Sequence, residues 1–328
     1  MDNLLNAHIE VLIATYNRAP YIAETLESVL NQGEDVLVRI EDDGSTDETA
    51  EVIHPFLSSG RVFYAWHPPS GGPARPRNRA LQAARAPYVT FFDADDLMQP
   101  GHLAHHIALL EEHPRWPAVI ADYRNFNTEG DYPHTLFQSC PRLRAALALQ
   151  GVELEGPVAC GVLNEREGKL IASVENFSSA CGVVYRRHAA QALGGFDEEL
   201  PASEDFDLFW RLLGLGSLGV STFCAFRRRM HSGNMSLGDL KILTWKVRSR
   251  LKLLANETDP LVRRQLKNLL AEFLDALAYH QMPVDTLAGL SSMCGALRYG
   301  VTRGKLPVQG LKSLARTYLK HRPAHSRF

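Results

Sequence analysis

Residues 88–96 read YVTFFDADD, an uncharged run that ends in three aspartates, and this stretch decides the fold. The run 88–92 is apolar enough for a strand that is buried on both faces of a sheet. Similar runs lie at 8–16 (HIEVLIATY), 35–40 (DVLVRI), 61–66 (RVFYAW) and 118–123. Helical patterns over 19–32, 46–57 and 73–85 separate them. This alternation predicts an α/β fold with a doubly wound, mainly parallel sheet flanked by helices.

Polar clusters follow three of these strands at their carboxyl ends, where doubly wound sheets bind ligands. The clusters are TYN at 15–17, EDDGSTD at 41–47 and DADD at 93–96. Asp-Gly-Ser within the second cluster is typical of a turn, and Ser45 or Thr46 could cap the helix that follows. A carboxylate of the same cluster could also accept a hydrogen bond from a nucleobase.

The DADD cluster suits a hard divalent cation. Asp93 and Asp95 lie two positions apart on an extended segment, so their side chains can share one face. Carboxylates in that arrangement suit Mg²⁺ or Mn²⁺, which also bind substrate phosphates and can neutralise a diphosphate leaving group. The alternative is a polar loop in which the aspartates only shape the turn after the strand.

A third acidic group, SEDFD at 203–207, opens a helical pattern over 204–213. Acidic residues are favourable at a helix start because of the helix dipole, and that explanation alone would suffice. The catalytic interpretation is that Glu204 or Asp205 serves as a general base.

Taken in order, five motifs resemble those of the family 2 glycosyltransferases with the GT-A fold, over residues 8–236. The motifs are VLIATYN (11–17), EDDGSTD (41–47), RNRAL (77–81), FFDADD (91–96), and GFD (195–197) with Glu204-Asp205. The resemblance implies a Rossmann-like GT-A domain and an inverting single displacement. It also implies a nucleotide-diphosphate sugar donor, taken to be a UDP-sugar, and a glycan or lipid-linked acceptor in polysaccharide biosynthesis.

The resemblance further implies which residues would bind the donor and its cofactor, Mn²⁺ or Mg²⁺. The nucleotide would lie among side chains that follow the first two strands, namely Thr15, Tyr16, Asn17 and Asp43. Arg77 would lie near the diphosphate, although Pro76 departs from the family pattern and Arg75 could substitute. Asp95 would bind the metal, with Asp93 near the ribose and the waters of the metal, and His231 would reach the metal or the diphosphate.

On the acceptor side, the resemblance implies that Asp205 is the base and that Glu204 orients the acceptor. Adjacent residues at a helix start point in different directions, so the sequence leaves open which of the two faces the substrate. A non-catalytic nucleotide-sugar-binding relative of the same fold is the alternative function. A nucleotidyltransferase is excluded, because ATYNR at 14–18 stands where a Gly-rich triphosphate loop would be required.

Charge divides the chain into two parts. Residues 240–328 contain 16 Lys and Arg against 5 Asp and Glu, and their pattern is helical. We predict a catalytic domain over 1–238, with a nucleotide-sugar half at about 1–125 and an acceptor half at about 126–238. A basic helical region would follow over 239–328. Its charge favours peripheral contact with an anionic membrane, and the alternative is a bundle with a solvated basic face.

The remaining features favour a cytoplasmic protein without a nucleic-acid partner. The five cysteines form no CxxC pair, no basic-then-apolar leader is present, and no uncharged apolar run reaches 18 residues. We expect reduced, mostly buried thiols. Four histidines at 102, 105, 106 and 113 lack further zinc ligands nearby, so we expect exposed or supporting side chains rather than a zinc site.

Overall fold

The computed structural model describes residues 7–234, 240–300 and 312–313. The chain divides into two compact units, Met1–His231 and Ser232–Phe328. The boundary predicted between residues 238 and 239 falls within 235–239, which lie outside the described residues.

The first unit is built on one ten-stranded sheet, ordered β3-β2-β1-β4-β9-β6-β10-β5, with β7 beside β6 and β8 beside β10. The strands are β1 (Ile9–Thr15), β2 (Val36–Asp42), β3 (Val62–Trp66), β4 (Tyr88–Asp93), β5 (Leu97–Met98), β6 (Ala118–Asn127), β7 (Gly130–Thr135), β8 (Cys160–Leu163), β9 (Val183–Arg186) and β10 (Leu218–Arg229). The central strands are apolar on both faces, because helices cover the sheet on each side.

Helices of the first unit connect these strands. They are α1 (Ile22–Leu30), α2 (Thr49–Ile53), α3 (Ala74–Ala83), α4 (His102–Glu112), α5 (Pro141–Ala148), α6 (Glu165–Ala172), α7 (Arg187–Ala192) and α8 (Glu204–Leu213). Short 3₁₀ turns lie at His54–Ser59, Phe137–Ser139 and Ala180–Gly182. The helix predicted over 46–57 is therefore a five-residue helix continued by a 3₁₀ turn, since Pro55 lacks the amide hydrogen that an α-helix would use.

The parallel pairing predicted from the alternation is found in β3–β2–β1–β4 and again between β6 and β10. Between these two groups lies β9, which runs antiparallel to both β4 and β6. The hydroxyl of Thr90 on β4 donates to the carbonyl of Val183 on β9 at 2.9 Å. The second half of the sheet is thus mixed, and it joins the predicted donor and acceptor halves within one sheet.

Helix α4 carries the histidines, and the structure corrects their expected exposure. His102 and His106 are both fully buried, with Nδ1 atoms 3.0 Å apart. Their i, i+4 spacing places both on the same side of the helix. There the ring of His106 meets Phe223 of β10 edge-on. Burial in apolar surroundings therefore favours the neutral form of both rings. It lowers the pKa of His106 to about 3.

The second unit contains the helices α9 (Leu240–Asn256), α10 (Pro260–Gln281) and α11 (Thr286–Gly300). Helix α10 begins at an N-cap, Asp259, whose carboxylate accepts from the amides of Leu261 and Val262 at 2.8 and 3.1 Å. Its buried side chains recur with helical spacing at Val262, Leu266, Leu270, Leu274 and Leu277. Among the described helices, none combines the length and the apolarity that a bilayer-spanning segment requires.

Candidate active site

The carboxyl ends of β1, β2 and β4 meet at one edge of the sheet. The pairing register sets Thr15 of β1 beside Asp42 of β2, and Ala14 of β1 beside Asp93 of β4. Strand β10 ends at Arg229, whose amide donates to Asp96 Oδ1 at 2.9 Å. The sequence motifs after these strands are therefore neighbours in space.

On the nucleotide side, Asp43 is fixed by main-chain contacts. Its amide donates to the carbonyl of Thr15 at 2.9 Å, and both of its carboxylate oxygens accept from the amide of Ser70 at 3.0 Å. Gly44 has φ 91°, and a Cβ there would lie 2.6 Å from Pro69. The buried hydroxyl of Thr15 has no hydrogen-bond partner. This edge therefore offers a polar atom that a ligand could satisfy.

Asn17 and Tyr16 occupy different positions at this edge. The amide of Asn17 donates to Ser45 Oγ at 2.9 Å, and its Oδ1 accepts from the amide of Thr46 at 2.8 Å. Asn17 thereby links the first two loops, and its own φ is 51°. Tyr16 is half exposed, as is Trp66 at the end of β3, whose indole N–H donates to Ser45 O at 3.4 Å. The sequence indicates a core or acceptor-site aromatic at Trp66, but its ring is exposed and lies beside the second loop.

Arg77 on α3 bridges the donor-side and acceptor-side motifs. Its Nη2 donates to Asp93 Oδ1 and its Nη1 to Glu204 Oε1, each at 2.7 Å. The guanidinium is buried and lies 5.1 Å from the ring centre of Phe196. Burial alone would lower the pKa of Arg77, but Asp93 and Glu204 outweigh it and raise that pKa. Direct contact between Arg77 and a diphosphate stays a prediction, since both terminal nitrogens already hold carboxylates.

Glu204 and Asp205 open α8 immediately after Ser203, which has φ 69°. Glu204 is buried, and burial together with the neighbouring charge of Asp205 raises its pKa to about 7 despite Arg77. Asp205 is half-buried, and its Oδ1 accepts from the amide of Phe206 at 2.7 Å. The two carboxylates therefore differ in environment, and Glu204 is the one held by the arginine.

The loop before α8 is held by Asn78, the residue after Arg77. Its Oδ1 accepts from the amide of Phe196 at 2.7 Å, and its Nδ2 donates to the Phe196 carbonyl at 2.9 Å. Gly195 has φ 73°, and a Cβ there would collide with Asn78 Oδ1. The RN and GF motifs, more than a hundred positions apart, thus form one contact.

Basic side chains surround Asp95. Its Oδ2 accepts from Arg18 Nε at 3.1 Å and lies 3.0 Å from His231 Nε2. His231 stacks on Tyr21 with ring centres 4.7 Å apart. Arg229 donates from Nε to the Asp95 carbonyl at 2.9 Å. The predicted pair Asp95 and His231 is therefore adjacent, while Arg18 and Arg229 were missed because their partners lie far away in the sequence.

Asp93 and Asp96 meet a thiol on the inner side of this edge. One potential ligand atom each from Asp93, Asp96 and Cys181 lies within 4.8 Å of the others. Burial is the main cause that raises the pKa of the Cys181 thiol well above its usual range, and the charges of Asp93 and Asp96 add to it. Burial also raises the pKa of Asp96, with contributions from Asp93 and Asp95. Against burial, Arg77 keeps the pKa of Asp93 low.

The residues fit a divalent cation at Asp95 and His231. A carboxylate oxygen and an imidazole nitrogen already lie within 3.0 Å of each other. The Asp93 carboxylate adds negative charge nearby, and Asp96 Oδ2 is buried without a hydrogen-bond partner. Oxygen ligands with one nitrogen suit Mn²⁺ or Mg²⁺. A thiol does not suit these hard cations, so Cys181 does not belong to that ligand set.

Comparison with known proteins gives a family match over much of the first unit. The family model described as "Glycosyl transferase family 2" matches residues 10–194. An uncharacterized glycosyltransferase of Rickettsia bellii is 32% identical over 130 residues, which are 39% of this chain. That match covers 19% of the relative, so the chain spans about a fifth of its length.

Solved structures show the same architecture. The crystal structure of Staphylococcus aureus TarS 1-349 in complex with UDP-GlcNAc has a TM-score of 0.67 and 17% identity, and covers 96% of this chain and 91% of that one. The mannosyltransferase PcManGT from Pyrobaculum calidifontis, in complex with GDP-Man and Mn²⁺, has a TM-score of 0.58 and 17% identity, covering 96% and 81%. At this identity the likeness shows the fold, and it confirms the predicted α/β fold class.

Proposed function

Because this chain belongs to glycosyl transferase family 2 and has the GT-A fold, we propose that it is an inverting, metal-dependent glycosyltransferase. It would transfer a sugar from a UDP-sugar to the hydroxyl of a glycan or lipid-linked acceptor. The observation that carries this proposal is the bridge at Arg77. Through it Asp93, at the donor edge, and Glu204, at the start of α8, converge on one guanidinium.

The donor would bind across the ends of β1 and β2. Asp43 would accept from the base or ribose, and the unpartnered Thr15 hydroxyl would meet the same nucleotide. Tyr16 lies exposed beside them, where an aromatic face could stack on a base. The TarS structure named above contains UDP-GlcNAc, which supports a uridine nucleotide for this chain as well.

Asp95 and His231 would hold Mn²⁺ or Mg²⁺, with Asp93 next to the ribose and the waters of the metal. When bound, such a cation neutralises the charge that develops on a diphosphate leaving group. Arg18, on the same Asp95 oxygen, would fix the orientation of that carboxylate. Arg77 would act through Asp93 and Glu204 as a positioning residue.

The acceptor hydroxyl would lose its proton to a carboxylate at the start of α8. We assign that role to Asp205, because Arg77 already holds Glu204, which suits Glu204 to orient the acceptor. A base of this kind contributes about 10²–10⁴-fold to the rate. Because the base comes from a different segment than Asp95, it can approach the sugar from the side opposite the diphosphate.

Calorimetry of UDP binding tests the metal-dependent donor site. We expect UDP to bind with Mn²⁺ and to bind about 10-fold or more weakly with a chelator, or after Asp95→Asn, since disturbing even the support of a metal site costs about 10–100-fold. Asp35→Asn is the matched control, because Asp35 is an exposed aspartate just before β2 begins, at the other end of that strand. Equal UDP affinity in the chelator and in both variants would refute the proposal.

The rival function, a non-catalytic nucleotide-sugar-binding protein, predicts the same binding but no turnover. Hydrolysis of a donor panel separates the two, because an active transferase releases some donor sugar to water. The complete acidic set, Asp93, Asp95, Glu204 and Asp205, favours the enzyme. Release of no sugar from any donor, with UDP still bound, would favour the binding protein.

We further propose a cytoplasmic location, with the basic C-terminal region at the inner face of a membrane. The support is the excess of 16 basic over 5 acidic residues in 240–328. Each basic residue near an anionic surface adds about 1 kcal/mol of attraction. Co-sedimentation with anionic and neutral liposomes at low and high salt tests this contact, and equal partition in all conditions would exclude it.

A further inference from the structure

Cys181 places a soft ligand at the edge of a site otherwise lined by carboxylates. The residue is fully buried at the 3₁₀ turn that precedes β9, and its sulfur lies within 4.8 Å of carboxylate oxygens of Asp93 and Asp96. The antiparallel insertion of β9 beside β4 brings it there. Neither the nucleotide nor the acceptor chemistry proposed above uses this thiol.

A second observation points to a ligand at the same place. Asp96 is 1% exposed, yet its Oδ2 has no hydrogen-bond partner. One ligand atom from each of Asp93, Asp96 and Cys181 lies within 4.8 Å of the other two. In a tetrahedral zinc site the bonds are about 2.0–2.3 Å, so ligand atoms lie roughly 3.3–3.8 Å apart. Small side-chain rotations would close that difference.

We propose that Asp93, Asp96 and Cys181 form a binding site for a thiophilic divalent cation such as Zn²⁺, distinct from the Mn²⁺ or Mg²⁺ ligands Asp95 and His231. Two carboxylates and a thiolate bring three negative charges, which exceed the positive charges of Arg77 and Arg228 nearby. Zinc accepts sulfur and oxygen ligands together, whereas Mg²⁺ and Mn²⁺ prefer oxygen. The Asp93 side chain is 40% exposed and provides the entry and a solvent-facing fourth position.

Binding would exchange protons for the metal. The sulfur–metal bond forms as the thiol proton leaves to water, Asp96 gives up its own proton to water, and the carboxylates of Asp93 and Asp96 bind the ion. Since Asp93 is drawn away from the ribose, zinc would inhibit the transferase. The inhibition rests on the proposed function, but the binding does not.

The test uses the full chain, freed of metal with a chelator and titrated with Co²⁺ and Zn²⁺. We expect a thiolate-to-metal charge-transfer band from Co²⁺ bound at Cys181, separate from any Co²⁺ that Asp95 and His231 hold, and we expect Zn²⁺ to abolish that band by displacement. Cys181→Ser keeps a hydrogen-bond donor of similar size but removes the soft ligand. It should abolish the band and weaken Zn²⁺ binding by about 10-fold or more. A loss of about 10-fold is already typical when a residue that only supports a metal ligand is replaced.

Cys224→Ser is the matched control, because Cys224 is a half-buried cysteine on β10 outside the cluster, and it should bind both ions like the wild type. Absence of the band in the wild type, or equal Zn²⁺ affinity in wild type and Cys181→Ser, would overturn the proposal. If Cys181→Ser does not fold, loss of the band in Asp96→Asn decides instead, and a retained band contradicts the site. These readouts do not depend on transferase activity. Zinc bound at Cys181 without inhibition of an active enzyme would refute only the inhibitory role.

Discussion

The free energy of unfolding of the Glu204→Gln variant, minus that of the wild type, should increase as the pH rises. Glu204 has a pKa of about 7 in the folded protein, against about 4.3 for a free glutamate. A raised pKa means that folding favours the neutral form, so this stability is present at low pH and is lost as the pH rises through 7. The amide that replaces the carboxyl group would stay neutral throughout and could still accept from Arg77.

The size of this effect follows from the two pKa values. The stability lost by the wild type through Glu204 between pH 5 and pH 8 is about 2–3 kcal/mol, because each unit of pKa difference is worth about 1.4 kcal/mol. The Glu204 side chain is only 6% exposed, so solvent screens it little. We therefore expect the difference in unfolding free energy, variant minus wild type, to rise by that amount over this range.

Urea titration followed by tryptophan fluorescence at several pH values measures the difference. Comparing pH values removes any constant effect of the amide, so only the slope matters. Glu198→Gln is a matched control: hydrogen bonds from Asn78 and Arg75 lower the pKa of Glu198, so this carboxylate is ionised in both states over this range and its difference should stay flat. A pH-independent difference for Glu204→Gln would refute the assigned protonation of Glu204.

Three further predictions concern neighbouring parts of the site. Arg77→Met should destabilise the protein by about 3 kcal/mol in urea titrations at pH 8. This loss is near the lower end for a broken buried ion pair, because Asp93 is partly exposed. The double variant Arg77→Met with Glu204→Gln should recover much of the lost stability. Asp205→Asn should reduce transfer about 10²–10⁴-fold with UDP affinity unchanged by calorimetry, whereas full activity would move the base elsewhere. Gly195→Ala should lower the unfolding free energy by about 1–3 kcal/mol more than Gly194→Ala. Both glycines have positive φ, but only at Gly195 would a Cβ collide with Asn78. Equal losses would contradict the contact between Gly195 and Asn78.

The sequence sufficed for features that depend on neighbouring residues. Strand β4 and the aspartates after it were predicted because burial and chain reversal leave a local pattern. Helix α8 was predicted over its observed span, Glu204–Leu213, because its apolar spacing is regular. In the second half, apolar patterns over 118–123, 178–186 and 221–230 predicted β6, β9 and β10. Strands β5 and β8 were missed, since with 2 and 4 residues they carry too short a pattern.

Pairings between distant segments could not be predicted from one sequence. Arg77 was expected near a diphosphate, but its carboxylate partners became identifiable only when the packing of α3 against the start of α8 was known. Cys181 looked like one more core residue, since a thiol beside an apolar strand is ordinary. His102 and His106 were expected to be exposed or to play a supporting role, because a polar residue type says little about which face of a helix meets the sheet.

The position of β9 also bears on how the chain is made. Thr90 of β4 pairs with Val184 of β9, 94 positions later. At about 5–20 residues per second, a ribosome needs roughly 5–20 s to add that segment. Until then β4, with its two phenylalanines, is an unpaired edge of the nascent sheet, the kind of strand that promotes aggregation. Synthesis of this protein therefore includes an interval in which a chaperone that covers apolar edges would raise the yield of folded chains.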